Sequence, residues 1–103
     1  MAAPKLVLLV KFKSTLPHDE VVEVVHSRAD AFRALPGLTQ KYYLCDQATG
    51  EYAGLYFWDG PESFAEFRDS ALRATIAQAY QVEGEPRIEV FDVLTPLRAG
   101  THV

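Results

Sequence analysis

The sequence predicts an α+β domain in which one four-stranded antiparallel sheet carries two helical regions on one face. Three observations predict it. Leu6–Phe12 is apolar on both strand parities, the segment from Pro17 to about Ala34 has helical spacing, and two aromatic-rich strands joined by a Gly-containing turn run into a second helix start. A last alternating strand completes the order βαββαβ.

Each element has a physical reason. In Lys5–Lys13, Leu6, Leu8, Val10 and Phe12 share one parity and Val7 and Leu9 the other, as in a central strand covered on both sides. Pro17, which loses nothing by lacking an N–H in a first helical turn, stands before Asp19 and Glu20, whose charges meet the positive end of a helix dipole. The helix carries Val21, Val22, Val25, Ala29 and Phe32 as its apolar stripe. Pro36 then disfavours helical geometry at Leu35, and Gly37 can take a positive φ.

Strands at about Leu38–Asp46 and Glu51–Trp58 flank Gln47–Gly50, where Gly50 fits the left-handed position of a three-residue loop. If Gln47 pairs with Glu51, Tyr42 lies opposite Tyr56 and Gln40 opposite Trp58 on one face. Tyr43, Cys45, Ala53, Leu55 and Phe57 then occupy the other. Asp59 is placed to cap a helix beginning at Pro61, with Glu62 reaching back. The second helical region changes stripe between Phe64/Phe67/Ala71 and Leu72/Ile76/Ala79, which predicts a kink near Ser70. Gly84 and Pro86 end it, and Arg87–Leu94 reads as the last strand.

The 103 residues are read as one domain, residues 1–103, with 97–103 a loose tail. A net charge of −4 with scattered Lys and Arg argues against a nucleic-acid partner, which needs basic side chains gathered on one face. Leu6–Val10, closed by Lys11 and Lys13, is too short for a membrane span or signal core, so no membrane partner is expected and the location is read as cytoplasmic. Cys45 is the sole cysteine, which rules out an internal disulfide, and no His, Cys or acid pattern suggests a metal site.

A βαββαβ order closes most simply as the ferredoxin-like arrangement, with the first and third strands central. That leaves one sheet face bare although Val7, Leu9, Tyr43, Leu55, Phe57 and Phe91 are assigned to it, more apolar surface than a monomer usually exposes. A homodimer packed through that sheet face is the expected remedy.

Leu35-Pro36-Gly37-Leu38, Lys41-Tyr42-Tyr43-Leu44, Ala53-Gly54-Leu55-Tyr56-Phe57-Trp58, and Phe91-Asp92-Val93 with Pro96-Leu97 form a set of stretches. Together they resemble the YdhR-like monooxygenase family of the dimeric α/β-barrel superfamily. The resemblance spans nearly the whole chain and implies the fold and the dimer. It also implies a cofactor-independent monooxygenase acting on a small hydroxylated aromatic or quinol, with haem degradation or isomerase chemistry as other activities of the superfamily. Where members can carry a second glycine or a Phe, this chain has Ala53 and Trp58; the latter brings it closer to the oxygenase branch.

Oxygenation without a cofactor needs an electron-rich substrate anion in a dry aromatic cavity, a proton acceptor and a group to stabilise the anion. Trp58, Tyr56 and Tyr42 are placed on the face under the helices, as pocket wall or as ordinary core. Arg28, one turn before Phe32, is the candidate anion stabiliser, unless its stem merely lies on apolar surface with the head in water. His26 is the candidate base if Asp30 orients it, or half of a surface pair. Phe32 and Tyr80 are expected to help enclose the substrate. The alternative function is a non-catalytic dimeric module binding a hydrophobic ligand or partner, which needs the rings but no base.

Overall fold

The computed structural model describes residues 3–98; the part of the expected tail at 99–103 lies outside them. The chain runs β1 (Leu6–Ser14), α1 (His18–Arg33), β2 (Leu38–Cys45), β3 (Tyr52–Trp58), α2 (Pro61–Arg68), α3 (Ala71–Ala74), α4 (Ile76–Ala79) and β4 (Val82–Asp92). The sheet order is β2-β3-β1-β4, every neighbour antiparallel, with β1 and β3 central. This is the ferredoxin-like arrangement.

The core lies between the sheet and its helices. Leu6, Leu8, Val10 and Phe12 of β1 are buried with Tyr56 and Trp58 of β3, Val21 and Phe32 of α1, Phe67 of α2, Ile76 of α4 and the following Tyr80. Each such side chain contributes about 1.5–3 kcal/mol by leaving water, so the β1 parity and the α1 stripe select the face together. Val22, expected in that stripe, is exposed, and Val24 packs against the core instead.

The second helical region breaks at Asp69–Ser70, as its change of stripe requires. The Ser70 hydroxyl accepts from the Arg73 N–H at 3.1 Å and starts the next turn. Asp59 does not cap α2. Its carboxylate accepts from the Ser63 hydroxyl at 2.7 Å, while its own N–H donates to the Gly37 carbonyl at 2.9 Å. Gly37 has φ +80°, and a Cβ there would sit 2.0 Å from Ser63 Oγ, so both backbone shape and space demand glycine.

Two strand expectations need correction. β4 starts at Val82 rather than Arg87, because Gly84 (φ +72°) and Pro86 do not end the helix but form an irregularity within the strand. Lys11 pairs with Arg87 and Lys13 with Glu83, so the extra residues bulge out and Pro86 need not donate to the ladder.

The second correction matters more. The β2–β3 hairpin closes on Asp46 and Glu51, with Asp46 N–H to Glu51 O at 2.7 Å and Gly50 N–H to Asp46 O at 2.7 Å. The loop is therefore four residues, Gln47–Gly50, and the Asp46 carboxylate braces it by accepting from the Ala48 N–H at 2.9 Å. One extra loop residue moves the β2 side chains from Gln40 onward to the opposite face, while a bulge between Leu38 and Gln40 leaves Leu38 against the core. Tyr42 pairs with Leu55 and Tyr43 with Gly54. Lys41 and Tyr43, not Tyr42, share the helix-side face with Tyr56 and Trp58. The opposite face carries Val7, Leu9, Leu55, Phe57, Tyr42, Leu44 and Phe91, with the Tyr42 ring edge-on to Phe57 at 6.0 Å.

Candidate functional site

The helix-side aromatic residues form a continuous stack. Tyr56 lies parallel to Trp58 (centroids 6.3 Å, 5°), and Phe67 packs 5.3 Å from each. Phe32 reaches Tyr56 and Phe67 at 6.0 Å. Trp58 is wholly buried at 0% exposure, and its indole N–H has no hydrogen-bond partner. It is not among the side chains lining the spaces described next.

A space of about 330 Å³ opens on the β4 side of this stack, lined by Leu8, Phe64, Phe67, Ile88 and Val90, and two more lie towards β2. An inner hollow of about 30 Å³ is bounded by Val10, Phe12, Val21, Tyr56, Ile76 and Tyr80, which is room for roughly one water molecule. A more polar cleft of about 350 Å³ opens between the end of α1 and β2, walled by Phe32, Arg33, Thr39, Gln40, Lys41 and Tyr43. Lys41 and Tyr43 line both.

Lys41 is the residue the sequence reading missed. Its Nζ lies 3.4 Å from the centroid of Phe32 and 4.3 Å from those of Tyr43 and Tyr56, a cage of three aromatic rings. Gly54 makes the approach possible, since a Cβ there would meet Lys41 Cε at 3.3 Å and Tyr56 Cε1 at 2.8 Å. Burial, followed by the Arg28 charge, lowers the Lys41 pKa from 10.5 to about 7. The rings favour the cation by about 0.5–2 kcal/mol, which explains why an amine is tolerated there at all. Among the described residues Lys41 makes no ion pair.

The phenols beside it are held neutral. Burial raises the Tyr56 hydroxyl well above its ordinary range, helped by Tyr43 and Tyr80, and raises Tyr80 to about 12. Tyr43 is raised by burial and pulled back by the Arg33 and Arg28 charges.

The sequence-selected residues divide sharply. Phe32 walls the cleft, Tyr56 and Tyr80 wall the hollow, and Tyr80 packs 5.1 Å from Phe12. Arg28 straps α1 to the second helical region by donating to Leu72 O at 2.9 Å and Thr75 Oγ1 at 3.2 Å; its Nε is buried without a partner. The guanidinium is thus committed to neighbouring elements while its charge still reaches Lys41 and the tyrosines. His26 is exposed on α1, and Asp30, expected to orient it, accepts instead from Arg33 at 2.6 Å. Tyr42, expected beside Tyr56, lies across the sheet from it. Among the described residues no three His, Cys, Asp or Glu side chains gather as metal ligands, and no helix is long and apolar enough to cross a membrane.

No protein-family model matches the chain, and no curated protein matches it. Solved structures do. SnoaB, a cofactor-independent oxygenase from Streptomyces nogalater, superposes with a TM-score of 0.73 at 16% identity over 91% of this chain and 97% of its own. NE2512 from Nitrosomonas europaea, of unknown function, gives 0.72 at 20% identity over 94% and 97%. A dimeric ferredoxin-like protein of unknown function from Thermobifida fusca gives 0.65 at 14% identity over 87% and 92%. At these identities the likeness carries the fold: an α+β ferredoxin-like domain of the kind SnoaB has.

Proposed function

We propose that the protein is a small cofactor-independent monooxygenase that oxidises a hydroxylated aromatic or quinol at the α1–β2 cleft. The observation that carries this reading is the cleft itself. At about 350 Å³ it falls in the size range of small-molecule sites, and it has aromatic walls, a positive rim and a boundary with a small ring-lined hollow. In such a site the substrate anion passes an electron to O₂ directly, while the protein orients the ring, excludes water and manages one proton. Phe32 and Tyr43 hold the flat substrate, Tyr56 and Tyr80 close the inner end, and Arg28 adds positive potential from its strapped position. Trp58 buttresses Tyr56 from behind. The fold shared with SnoaB and the stretches resembling the YdhR-like family favour the same chemistry.

In this reading the working unit is a homodimer. Phe91 (49% exposed), Leu44 (43%) and Tyr42 (38%) add to Val7, Leu9, Leu55 and Phe57 on the outer sheet face, and a second copy covers them across a twofold axis. The exposed thiol of Cys45 suits the reducing cytoplasm.

One observation favours the alternative, a non-catalytic ligand-binding module that needs no base: His26, the expected base, is exposed, and Asp30 pairs with Arg33 rather than with it. Oxygen uptake with a panel of hydroquinones and anthrones decides between them. Turnover above the uncatalysed rate supports the oxygenase; saturable binding with no uptake leaves the binding module.

A further inference from the structure

The cleft contains a feature that its likeness to an oxygenase does not explain. An amine sits among three ring faces, and the charged groups around it are nearly all positive: Arg28 and Arg33 from α1, and Arg73 from α3, whose charge reaches Tyr56. The titratable groups facing it are the phenols Tyr43 on β2, Tyr56 on β3 and Tyr80 after α4. Asp30 on α1 is engaged by Arg33 and does not line the cleft. Glycine at position 54 is what lets the lysine stem cross β3. This is a desolvated cationic site awaiting an anion, made from groups that also accept a flat ring.

Resting on the functional reading above, we propose that Lys41 is both base and counter-ion of the site. Its amine takes the proton from an acidic aromatic or enolic hydroxyl lodged against Phe32 and Tyr43, and the resulting ammonium holds the oxyanion at the boundary of cleft and hollow. The O–H bond breaks, an N–H bond forms, and the electron pair stays on oxygen. Since Lys41 titrates near neutrality, the transfer is matched to hydroxyls that are themselves nearly as acidic, namely polarised phenols, quinols bearing electron-withdrawing groups, and β-dicarbonyl enols. Neutral arenes and simple alcohols fall outside this class. Ionisation of the hydroxyl raises the electron density of the bound ring, which is what direct reaction with O₂ requires.

The test reads the visible phenolate band of 4-nitrophenol at about pH 6, where the free ligand is largely un-ionised and Lys41 is already ammonium, and follows the affinity up to about pH 9, where the amine is neutral. Wild-type protein is expected to bind it with the phenolate band showing, and Lys41→Met to lose the band and at least about tenfold in affinity. Lys41→Arg, which keeps a cation but cannot accept a proton, is expected to retain the band at about pH 6, separating loss of charge from loss of fold, and to hold its affinity up to about pH 9, where the wild type, its amine neutral, weakens; parallel affinity profiles in the two proteins overturn the base role. The inference is overturned by ligand bound without the band to the wild type, by an equal band in Lys41→Met, or by no binding up to millimolar ligand. Oxygen uptake is read separately. Lys41-dependent ionisation with no uptake removes the oxygenase and leaves this assignment standing, whereas uptake undiminished in Lys41→Met does the reverse.

Discussion

Replacing Lys41 with Met removes the charge while keeping most of the stem, and its effect on stability should depend strongly on pH. In the unfolded chain the amine titrates near 10.5 and in the folded protein near 7. Between these values the unfolded chain binds more protons, so wild-type stability contributed by this group rises with pH across that window. Below about pH 7 both states are protonated and the folded protein bears the full cost of a poorly solvated ammonium. The fall from 10.5 to about 7 corresponds to at most about 5 kcal/mol, at ~1.4 kcal/mol per tenfold change in proton affinity. Lys41→Met should therefore be the more stable protein at about pH 6, with its advantage shrinking by several kcal/mol towards about pH 10. Urea unfolding of both proteins across that range measures the difference. Tyr56 and Tyr80, whose raised phenols make folding less favourable as pH climbs above about 10, are present in both proteins and cancel. A difference that is flat with pH, or that grows as pH rises, would refute the reasoning.

Other substitutions test the frame around the site. Trp58→Ala should lose about 3–5 kcal/mol in urea unfolding by emptying the centre of the stack, and Trp58→Phe markedly less, because the indole N–H has no partner to lose. Gly37→Ala should destabilise by more than about 1 kcal/mol in the same assay, since neither its φ of +80° nor the 2.0 Å approach to Ser63 Oγ admits a methyl group. Gly54→Ala should displace the Lys41 stem and weaken 4-nitrophenol binding while leaving the circular dichroism of the fold intact. Phe57→Asp places a charge in the outer sheet face and should shift sedimentation from dimer to monomer; an unchanged dimer would move the interface elsewhere.

Much of the fold was legible because its signals are local and strong. The doubled apolar parity of β1, Pro17 before acidic residues, the Pro36–Gly37 stop and the rotated stripe at Ser70 each correspond to an observed boundary. The register of β2 was not legible in the same way. Three- and four-residue loops suit the same Asp46–Gly50 sequence, and the choice is made by backbone hydrogen bonds from Asp46 and Gly50 and by the Asp46 carboxylate on Ala48. The cost of that single residue was the candidate site itself. Aromatic side chains occupy both β2 faces, so hydrophobic pattern gave no warning, and Tyr42 exchanged places with Tyr43 while Lys41 turned inward. A signal was present nonetheless: Lys41 stands alone as a cation between the aromatic strand residues, opposite the stretch that contains Gly54, the one β3 position able to admit its stem. For β4, Gly84 and Pro86 read as breakers because a bulge opposite Phe12 cannot be told from a helix end without the partner strand.

The central claim is that an aromatic anion is held between α1 and β2 against the Lys41 cage. Nuclear magnetic resonance titration of the isotopically labelled protein with 4-nitrophenol, an acidic hydroxyaryl ligand that resists oxidation, tests it most directly. The account predicts saturable shifts concentrated at Phe32, Lys41, Tyr43 and Tyr56, with the Lys41 ammonium moving as the ligand binds. Shifts confined to the outer sheet face at Tyr42, Leu44 and Phe91, or to the β4 side around Phe64, Ile88 and Val90, would contradict it.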